Sequence, residues 1–418
     1  MDKLIIQGGA DLRGAIAIKG SKNSALPIMV SALLSENTLK LQNIPKLDDI
    51  KNMSALLSSY GSIIKSSNDN LEINCKKIIN KDADYDIVRK MRASILILGP
   101  LLARFGKAKI SLPGGCAIGT RPIDIHLYGL KKLGANFTVE SGYVIGKVND
   151  HLIGSHIQLP FPSVGETENI LMAATIAKGT TVIENAAMEP EILDLANSLN
   201  KMGSKIKITK NGIIKITGVK KLTKANHKIM SDRIVAGTFV IAAVMLNKKF
   251  EVKEVESKHL KALTSALKEM GANIKLKENI IQIFPATKLN GIKIQTSPYP
   301  GFPTDLQAQM MALMTLAKGN SQIKENIFEN RFMHLPELNR LGAKIKVKKD
   351  IAYISGSRKL KGAQVMASDL RASVSLVLAA LCSEGKSEIN RVYHLDRGYE
   401  NIENTLGKLG PLIKREKY

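Results

Sequence analysis

Side chains suited to negatively charged ligands recur where this chain is expected to start its helices. Lys22 follows Gly20-Ser21, Arg92 follows Met91, Arg233 follows Ser231-Asp232, and Arg371 follows Asp369-Leu370. A helix N-terminus already presents unpaired N–H groups and the positive end of its dipole, so a cation at the same place favours anions further. If such starts face one cleft, they suit a strongly anionic small molecule. Cys116 lies in Leu112-Pro113-Gly114-Gly115-Cys116-Ala117-Ile118-Gly119-Thr120-Arg121-Pro122. Two glycines and a proline predict a mobile stretch without regular structure there, a poor place to bury a thiol. Cys75, in the strand-like Leu71-Glu72-Ile73-Asn74-Cys75, and Cys382, in the apolar Leu378-Ala379-Ala380-Leu381-Cys382, read instead as small buried hydrophobes. Thr304-Asp305-Leu306-Gln307 predicts a capping box from Thr304 to Gln307, with Asp305 as a first-turn carboxylate. Ser231-Asp232 and Ser368-Asp369 similarly predict a serine cap followed by an acid.

The elements that must carry these residues repeat. The phrase Leu-x-x-(Leu/Met/Tyr)-Gly occurs at Leu57 to Gly61, Leu130 to Gly134, Leu199 to Gly203, Leu267 to Gly271, Leu338 to Gly342 and Leu406 to Gly410, at intervals of 68 to 73 residues. Each reads as the end of an amphipathic helix with Gly in the left-handed C′ position and a strand beyond. A second phrase, an apolar helix ending in a small turn before a strand, appears at Met172 to Gly179, Met311 to Gly319 and Leu378 to Gly385. Six α/β units of about 70 residues therefore fill the chain. Their first helices start near Ser21, Arg92, Ser163, Ser231, Thr304 and Ser368.

Of 418 residues, 44% are hydrophobic and 23% charged, so the chain can bury large cores and is not disordered. Three cysteines make no disulfide scaffold and suit a reducing compartment. No apolar run approaches a membrane span, and Met1-Asp2-Lys3-Leu4-Ile5-Ile6-Gln7 is no signal peptide, so a cytoplasmic protein without membrane insertion is expected. The net charge of +24 raises the question of nucleic acid. The lysines are scattered (Lys205, Lys207, Lys210, Lys215), aromatics are only 4%, and Trp is absent, which argues against a base-stacking surface and for solvated basic faces that steer an anionic substrate. The seven histidines show no ligand spacing, His151 and His156 standing alone in a turn-like segment, so no metal is expected.

Five segments in order resemble the UDP-N-acetylglucosamine enolpyruvyl transferase family. They are Gly20-Ser21-Lys22-Asn23-Ser24-Ala25-Leu26-Pro27, the Cys116 segment from Leu112 to Pro122, Phe302-Pro303-Thr304-Asp305-Leu306-Gln307-Ala308-Gln309, Glu329-Asn330-Arg331-Phe332-Met333-His334 and Asp396-Arg397-Gly398-Tyr399. The resemblance implies an α/β fold of two domains, each an inside-out barrel of three repeated units. One domain would span 22–229, the other 1–21 with 230–418, and the active site would lie in the cleft between them. It further implies transfer of enolpyruvyl from phosphoenolpyruvate to the 3′-hydroxyl of UDP-N-acetylglucosamine, with no cofactor, as the first committed step of peptidoglycan precursor synthesis.

By the same resemblance, Cys116 is the acid that protonates the methylene carbon and a possible covalent partner of phosphoenolpyruvate, and Asp305 accepts the sugar hydroxyl proton. Lys22, Arg121 and Arg397 match the cations that bind phosphoenolpyruvate, Arg92, Arg331 and Arg371 complete the cluster, and Asp369 contacts the intermediate. Asn23, Arg121-Pro122-Ile123-Asp124, Ser163-Val164-Gly165, Asp305 and Ile327 match the sugar-nucleotide site. Ser163-Val164-Gly165 also reads as a turn into a helix N-terminus, a fitting place for diphosphate. Because no counter-charge is read for these cations, their repulsion is expected to hold the empty domains apart.

The competing enzyme reading is the sister transferase acting on shikimate 3-phosphate; the Cys116 loop and Arg331-Phe332-Met333-His334 favour the UDP-sugar enzyme. A basic repeat protein that binds RNA is the non-enzyme reading, suggested only by the charge. A thiol near Arg121 and helix N-termini should react with electrophiles that mimic phosphoenolpyruvate, and the family resemblance makes the phosphonate epoxide fosfomycin the natural probe. Mass spectrometry should show one adduct, on the peptide containing Cys116; labelling only at Cys75 or Cys382 would remove Cys116 from the chemistry.

Overall fold

All six Leu-to-Gly phrases end helices, at Asp48–Ser59, Asp124–Lys132, Pro190–Lys201, Lys261–Glu269, Leu335–Arg340 and Ile402–Gly407. In the computed structural model, which describes residues 2–79, 85–88, 91–112, 123–209, 211–356 and 359–417, the six glycines have φ between +94° and +116°. In five of them the N–H after the glycine returns to the carbonyl of the phrase's leucine, for example Ala272 to Leu267 at 2.9 Å. That is the geometry a left-handed C′ glycine permits, and it leaves the leucine side chain buried in every case.

The chain divides into two compact units, one of residues 2–19 with 231–417, the other lying within 20–230. Each has its own hydrophobic core. In the first unit the helices Arg233–Met245, Gln307–Met314 and Leu370–Cys382 pack on one another and are buried on nearly all sides. Helices apolar all round belong inside. In the second unit the buried helices are Lys22–Ser31, Leu98–Phe105 and Val164–Ala174, the last two in contact.

Five four-stranded sheets share one plan: a parallel edge strand, a central strand, then two antiparallel neighbours. His156–Gln158 and Thr180–Glu184, Lys293–Gln295 and Asn320–Lys324, and Gln364–Met366 and Lys386–Asn390 are parallel pairs joined through a buried helix. Two sheets take their edge strand from elsewhere in sequence: Ala225–Lys228 lies beside Leu39–Gln42, and Ala15–Ala17 beside Phe250–Lys253. The sixth sheet, Lys107–Ser111, Tyr143–Lys147 and Asn136–Glu140, has three strands among the described residues. None of the described sheets closes on itself, and no helix of the described residues is long and apolar enough to cross a membrane.

Three local expectations need correction. The Thr304 capping box does not form: Thr304 Oγ1 donates to Glu325 Oε2 at 3.0 Å, the Gln307 side chain is buried without a partner, and residues Thr304–Leu306 form a 3₁₀ turn. At the other two starts the acid, not the serine, is the cap. Asp232 accepts from the N–H groups of Ile234 and Val235, and Asp369 from those of Arg371 and Ala372, at 2.8 to 3.0 Å. A carboxylate is the stronger acceptor for two converging N–H groups, so it displaces the neighbouring hydroxyl. His156 belongs to a strand and lies 2.9 Å from Glu184, not in a turn.

The glycines also make a graded prediction. A Cβ at Gly271 would lie 2.8 Å from the Lys288 carbonyl oxygen, whereas one at Gly134 meets nothing within 4 Å, although both have φ near +100°. Gly134→Ala should cost about 1–2 kcal/mol of left-handed strain in a denaturation experiment, and Gly271→Ala measurably more, because backbone cannot swing away. Equal losses would mean that the carbonyl contact is relieved for free.

Candidate active site

Within the unit formed by residues 2–19 and 231–417, three expected site residues converge. Arg331 Nη2 donates to Asp305 Oδ1 at 2.8 Å, and Arg371 donates to Asp305 Oδ2 from Nη2 at 3.0 Å and Nε at 3.2 Å. The Arg331 and Arg371 side chains are only 4% and 5% exposed, the Asp305 side chain 28%. Guanidinium forks on both oxygens favour the ionised carboxylate. Burial pulls the Arg371 guanidinium down, but Asp305, Tyr399 and Asp232 together hold it above its ordinary value. Among the described residues, no protein atom accepts from its buried Nη1. Asp369 caps the helix that presents Arg371. Arg397 ends the short 3₁₀ helix Val392–Arg397, half-buried, and its charge acts on His394. Ile327 borders a cavity of about 400 Å³, also lined by Glu325, Phe328 and Phe332.

In the unit within 20–230, Ser21 caps the helix Lys22–Ser31, and Lys22 Nζ lies 3.2 Å from Asp49 Oδ2, the two side chains 11% and 2% exposed. Asn23 is half-buried in the same first turn. Arg92 opens the 3₁₀ helix Arg92–Ile97. Ile123 and Asp124 lie at the start of the helix Asp124–Lys132, Asp124 exposed, while Ser163, Val164 and Gly165 open Val164–Ala174 with no side-chain cap. Those two helices pack closely enough that a Cβ on Gly165 would lie 3.0 Å from His126 Cε1 and one on Gly129 2.1 Å from Ile170 Cδ1. Ser163-Val164-Gly165 and Ile123-Asp124 are thus brought together. Cys116, Arg121 and Pro122 lie outside the described residues.

For Lys22, Arg331 and Arg371 the expectation of uncountered cations is overturned. Lys22 has Asp49, and Arg331 and Arg371 share Asp305, because a guanidinium or ammonium removed from water needs a carboxylate beside it. Cys75 is buried as expected, whereas Cys382 is half-buried against the core; desolvation pushes their thiols up to about 11 and about 12.

Several polar residues escaped sequence reasoning. Asp49 could have been suspected from the acidic pair Asp48-Asp49 opening a helix. His126 accepts at Nδ1 from Asn169 Nδ2 at 3.3 Å, and burial, reinforced by Arg92, lowers it to about 4. His334 is lowered to about 4 by burial and Arg331, with Asp369 opposing. Glu166, fully buried in the first turn after Ser163, is pushed up to about 8 by burial, the Gly129 backbone opposing. Glu168 is raised by burial and by the charges of Glu191 and Glu189. No local pattern marks these as buried.

Six repeated α/β units carry, in one compact unit, a carboxylate held between two buried arginines and, in the other, a buried lysine at a helix start, groups suited to binding anions. A family profile described as EPSP synthase (3-phosphoshikimate 1-carboxyvinyltransferase) matches residues 6–406, so the chain belongs to the enolpyruvyl (1-carboxyvinyl) transferase family. Among its relatives, the UDP-N-acetylglucosamine 1-carboxyvinyltransferase of Pelagibacter ubique (strain HTCC1062) is 52% identical over 415 residues, covering 99% of this chain and 100% of the relative. The enzyme of the same name from Thermodesulfovibrio yellowstonii is 50% identical over 418 residues, covering 100% of both. Among solved structures, the enolpyruvyl transferase NikO from Streptomyces tendae superposes with a TM-score of 0.90 at 22% identity, covering 100% of this chain and 99% of that one. EPSP synthase from Acinetobacter baumannii gives 0.78 at 18% identity, covering 100% of both. The fold is shared by these enzymes.

The raised carboxyl of Glu166 makes stability depend on pH with a definite sign. Its pKa is higher folded, about 8, than unfolded, near 4.5, so between those values the folded state holds more protons and stability falls as pH rises. Glu166→Gln should therefore gain on wild type by about 1–3 kcal/mol at pH 8.5 relative to pH 5 in urea titrations. Parallel pH profiles would show that Glu166 is ionised in the fold.

Proposed function

We propose that this chain transfers the enolpyruvyl group of phosphoenolpyruvate to the 3′-hydroxyl of UDP-N-acetylglucosamine, releasing phosphate, the first committed step of peptidoglycan precursor synthesis. The observation that carries the reading is end-to-end identity of 50–52% to relatives bearing that activity's name. The buried Asp305–Arg331–Arg371 cluster supports the site assignment. The alternative acceptor, shikimate 3-phosphate, is favoured only by the name of the family profile.

In the proposed reaction the sugar oxygen adds to C2 of phosphoenolpyruvate while a proton goes to C3, giving a tetrahedral intermediate. Loss of a C3 proton and of phosphate then restores the double bond. Atoms and electrons balance without redox change. Asp305 accepts the hydroxyl proton and Cys116 supplies the one for carbon. Lys22, Arg121 and Arg397 hold the carboxylate and phosphate of phosphoenolpyruvate, with Arg92, Arg331 and Arg371 completing the positive field as charge develops. Asn23, Arg121, Pro122, Ile123, Asp124, Ser163, Val164, Gly165 and Ile327 receive the sugar nucleotide, and Asp369 contacts the intermediate. We further propose residues 22–229 and 1–21 with 230–418 as the two domains, each an inside-out α/β barrel. The buried helices and one-sided sheets of each unit support that architecture.

The test is phosphate release with each acceptor. Turnover should require UDP-N-acetylglucosamine and ignore shikimate 3-phosphate; equal turnover would sink the acceptor assignment. Asp305→Asn should lower kcat by roughly 10²-fold or more, with a smaller change in sugar-nucleotide binding. Near-normal kcat in a folded variant would place the base elsewhere.

A further inference from the structure

Glu325 lies just beyond the strand Asn320–Lys324, is 5% exposed, and has no part in the chemistry above. Its carboxylate accepts four hydrogen bonds. Oε1 takes Thr296 Oγ1 at 2.9 Å and the N–H groups of Ile327 at 2.9 Å and Phe328 at 3.2 Å; Oε2 takes Thr304 Oγ1 at 3.0 Å. No cation pairs with it among the described residues. Thr296 doubles the tie, since its hydroxyl oxygen accepts from Asn326 N at 2.9 Å. One oxygen therefore gathers the 326–328 loop, and the other holds the turn that presents Asp305.

We propose that Glu325 is a positioning residue that sets the sugar-nucleotide loop at Ile327 and the proton acceptor Asp305 in fixed relation. This deepens the function proposed above and rests on it. The physical ground is the donor set. Three donors converge on Oε1 and the fourth reaches the other oxygen from a separate element, filling the four acceptor sites of one carboxylate and linking two segments through it. An ionised carboxylate among four neutral donors binds each of them more strongly than a neutral acceptor would. Misplacing a reacting group by about 1 Å can cost on the order of 10²-fold in rate, so a tie between the base and the substrate loop has catalytic consequence without touching substrate. Phe328 extends the arrangement, its ring lying 5.3 Å from the Arg331 guanidinium carbon. Glu325 thus also sets a face beside one of the arginines that hold Asp305.

The two halves of the tie can be cut separately. Thr304→Val removes only the bond toward Asp305, so kcat should fall roughly tenfold while KM for UDP-N-acetylglucosamine stays within about twofold. Thr296→Val loosens only the loop, so KM should rise roughly tenfold with kcat within about twofold. Glu325→Ala should do both, and Glu325→Gln should recover much of the loss, because its oxygen can keep the three loop donors while its amide donates to a reversed Thr304 hydroxyl. Amide exchange at Ile327 and Phe328 without substrate should quicken at least roughly tenfold in Glu325→Ala and stay unchanged in Thr304→Val. Both threonine variants moving the same parameter, wild-type kinetics in Glu325→Ala, or unchanged exchange in it would overturn the proposal. If Glu325→Ala does not fold, the two threonine variants decide. Failure of the unaltered protein to use UDP-N-acetylglucosamine would sink the functional reading, while the exchange comparison still judges the tie.

Discussion

Two guanidinium groups almost removed from water share one carboxylate, and much of the unit built from residues 2–19 and 231–417 is arranged around that fact. Arg331 and Arg371 cannot be buried alone, since an unpaired ion in a low-dielectric interior costs several kcal/mol. Asp305 meets both, one through each oxygen. Every supporting element has a role in bringing the three together. Asp369 caps the helix carrying Arg371, Glu325 ties down the turn carrying Asp305, and Phe328 faces Arg331. The three groups sum to one positive charge, and among the described residues no protein atom accepts from Arg371 Nη1. Such a centre is stable yet still attractive to an anion.

Lys22 and Asp49 meet the same need in the other unit by pairing with each other. The two solutions differ because the six repeats, though alike in backbone, treat their helix starts differently. Ser21, Asp232 and Asp369 cap their helices through the side chain, whereas Ser163 does not, and Thr304 is drawn away to Glu325. A duplicated scaffold supplies equivalent positions, and what each position does depends on which polar partner long-range folding brings to it.

That dependence explains what could be read in advance. Helix ends at Gly61, Gly134, Gly203, Gly271, Gly342 and Gly410 were legible because the left-handed glycine and its leucine lie within five residues of each other. The buried character of Cys75 was legible from strand pattern, and the family resemblance named Asp305, Arg331 and Arg371 as site residues, but not that Asp305 would counter the two arginines. The Thr304 capping box failed because Glu325, over twenty residues away, competes for the hydroxyl. His126, Glu166 and His334 were missed for the same reason: their environments come from elements distant in sequence, and nothing in a neighbouring residue signals a buried ionisable group.

The fork also bears on how Asp305 can work. Two guanidinium bonds hold a carboxylate in its charged form and reduce its affinity for a proton, which is the opposite of what a base for a sugar hydroxyl needs. The conflict disappears if the same arginines have somewhere better to go. A carboxylate offers them equal geometry and charge and a phosphate dianion more charge, so an incoming anion that takes one fork would remove a stabilising bond from Asp305 and favour its protonation. If Asp305 is the proton acceptor proposed above, arrival of negative charge and activation of that base would be one event, and the resting pair keeps the arginines countered. Asp305 is the more exposed member, at 28% against 4% and 5%, so it is also the one with room to turn toward a substrate hydroxyl.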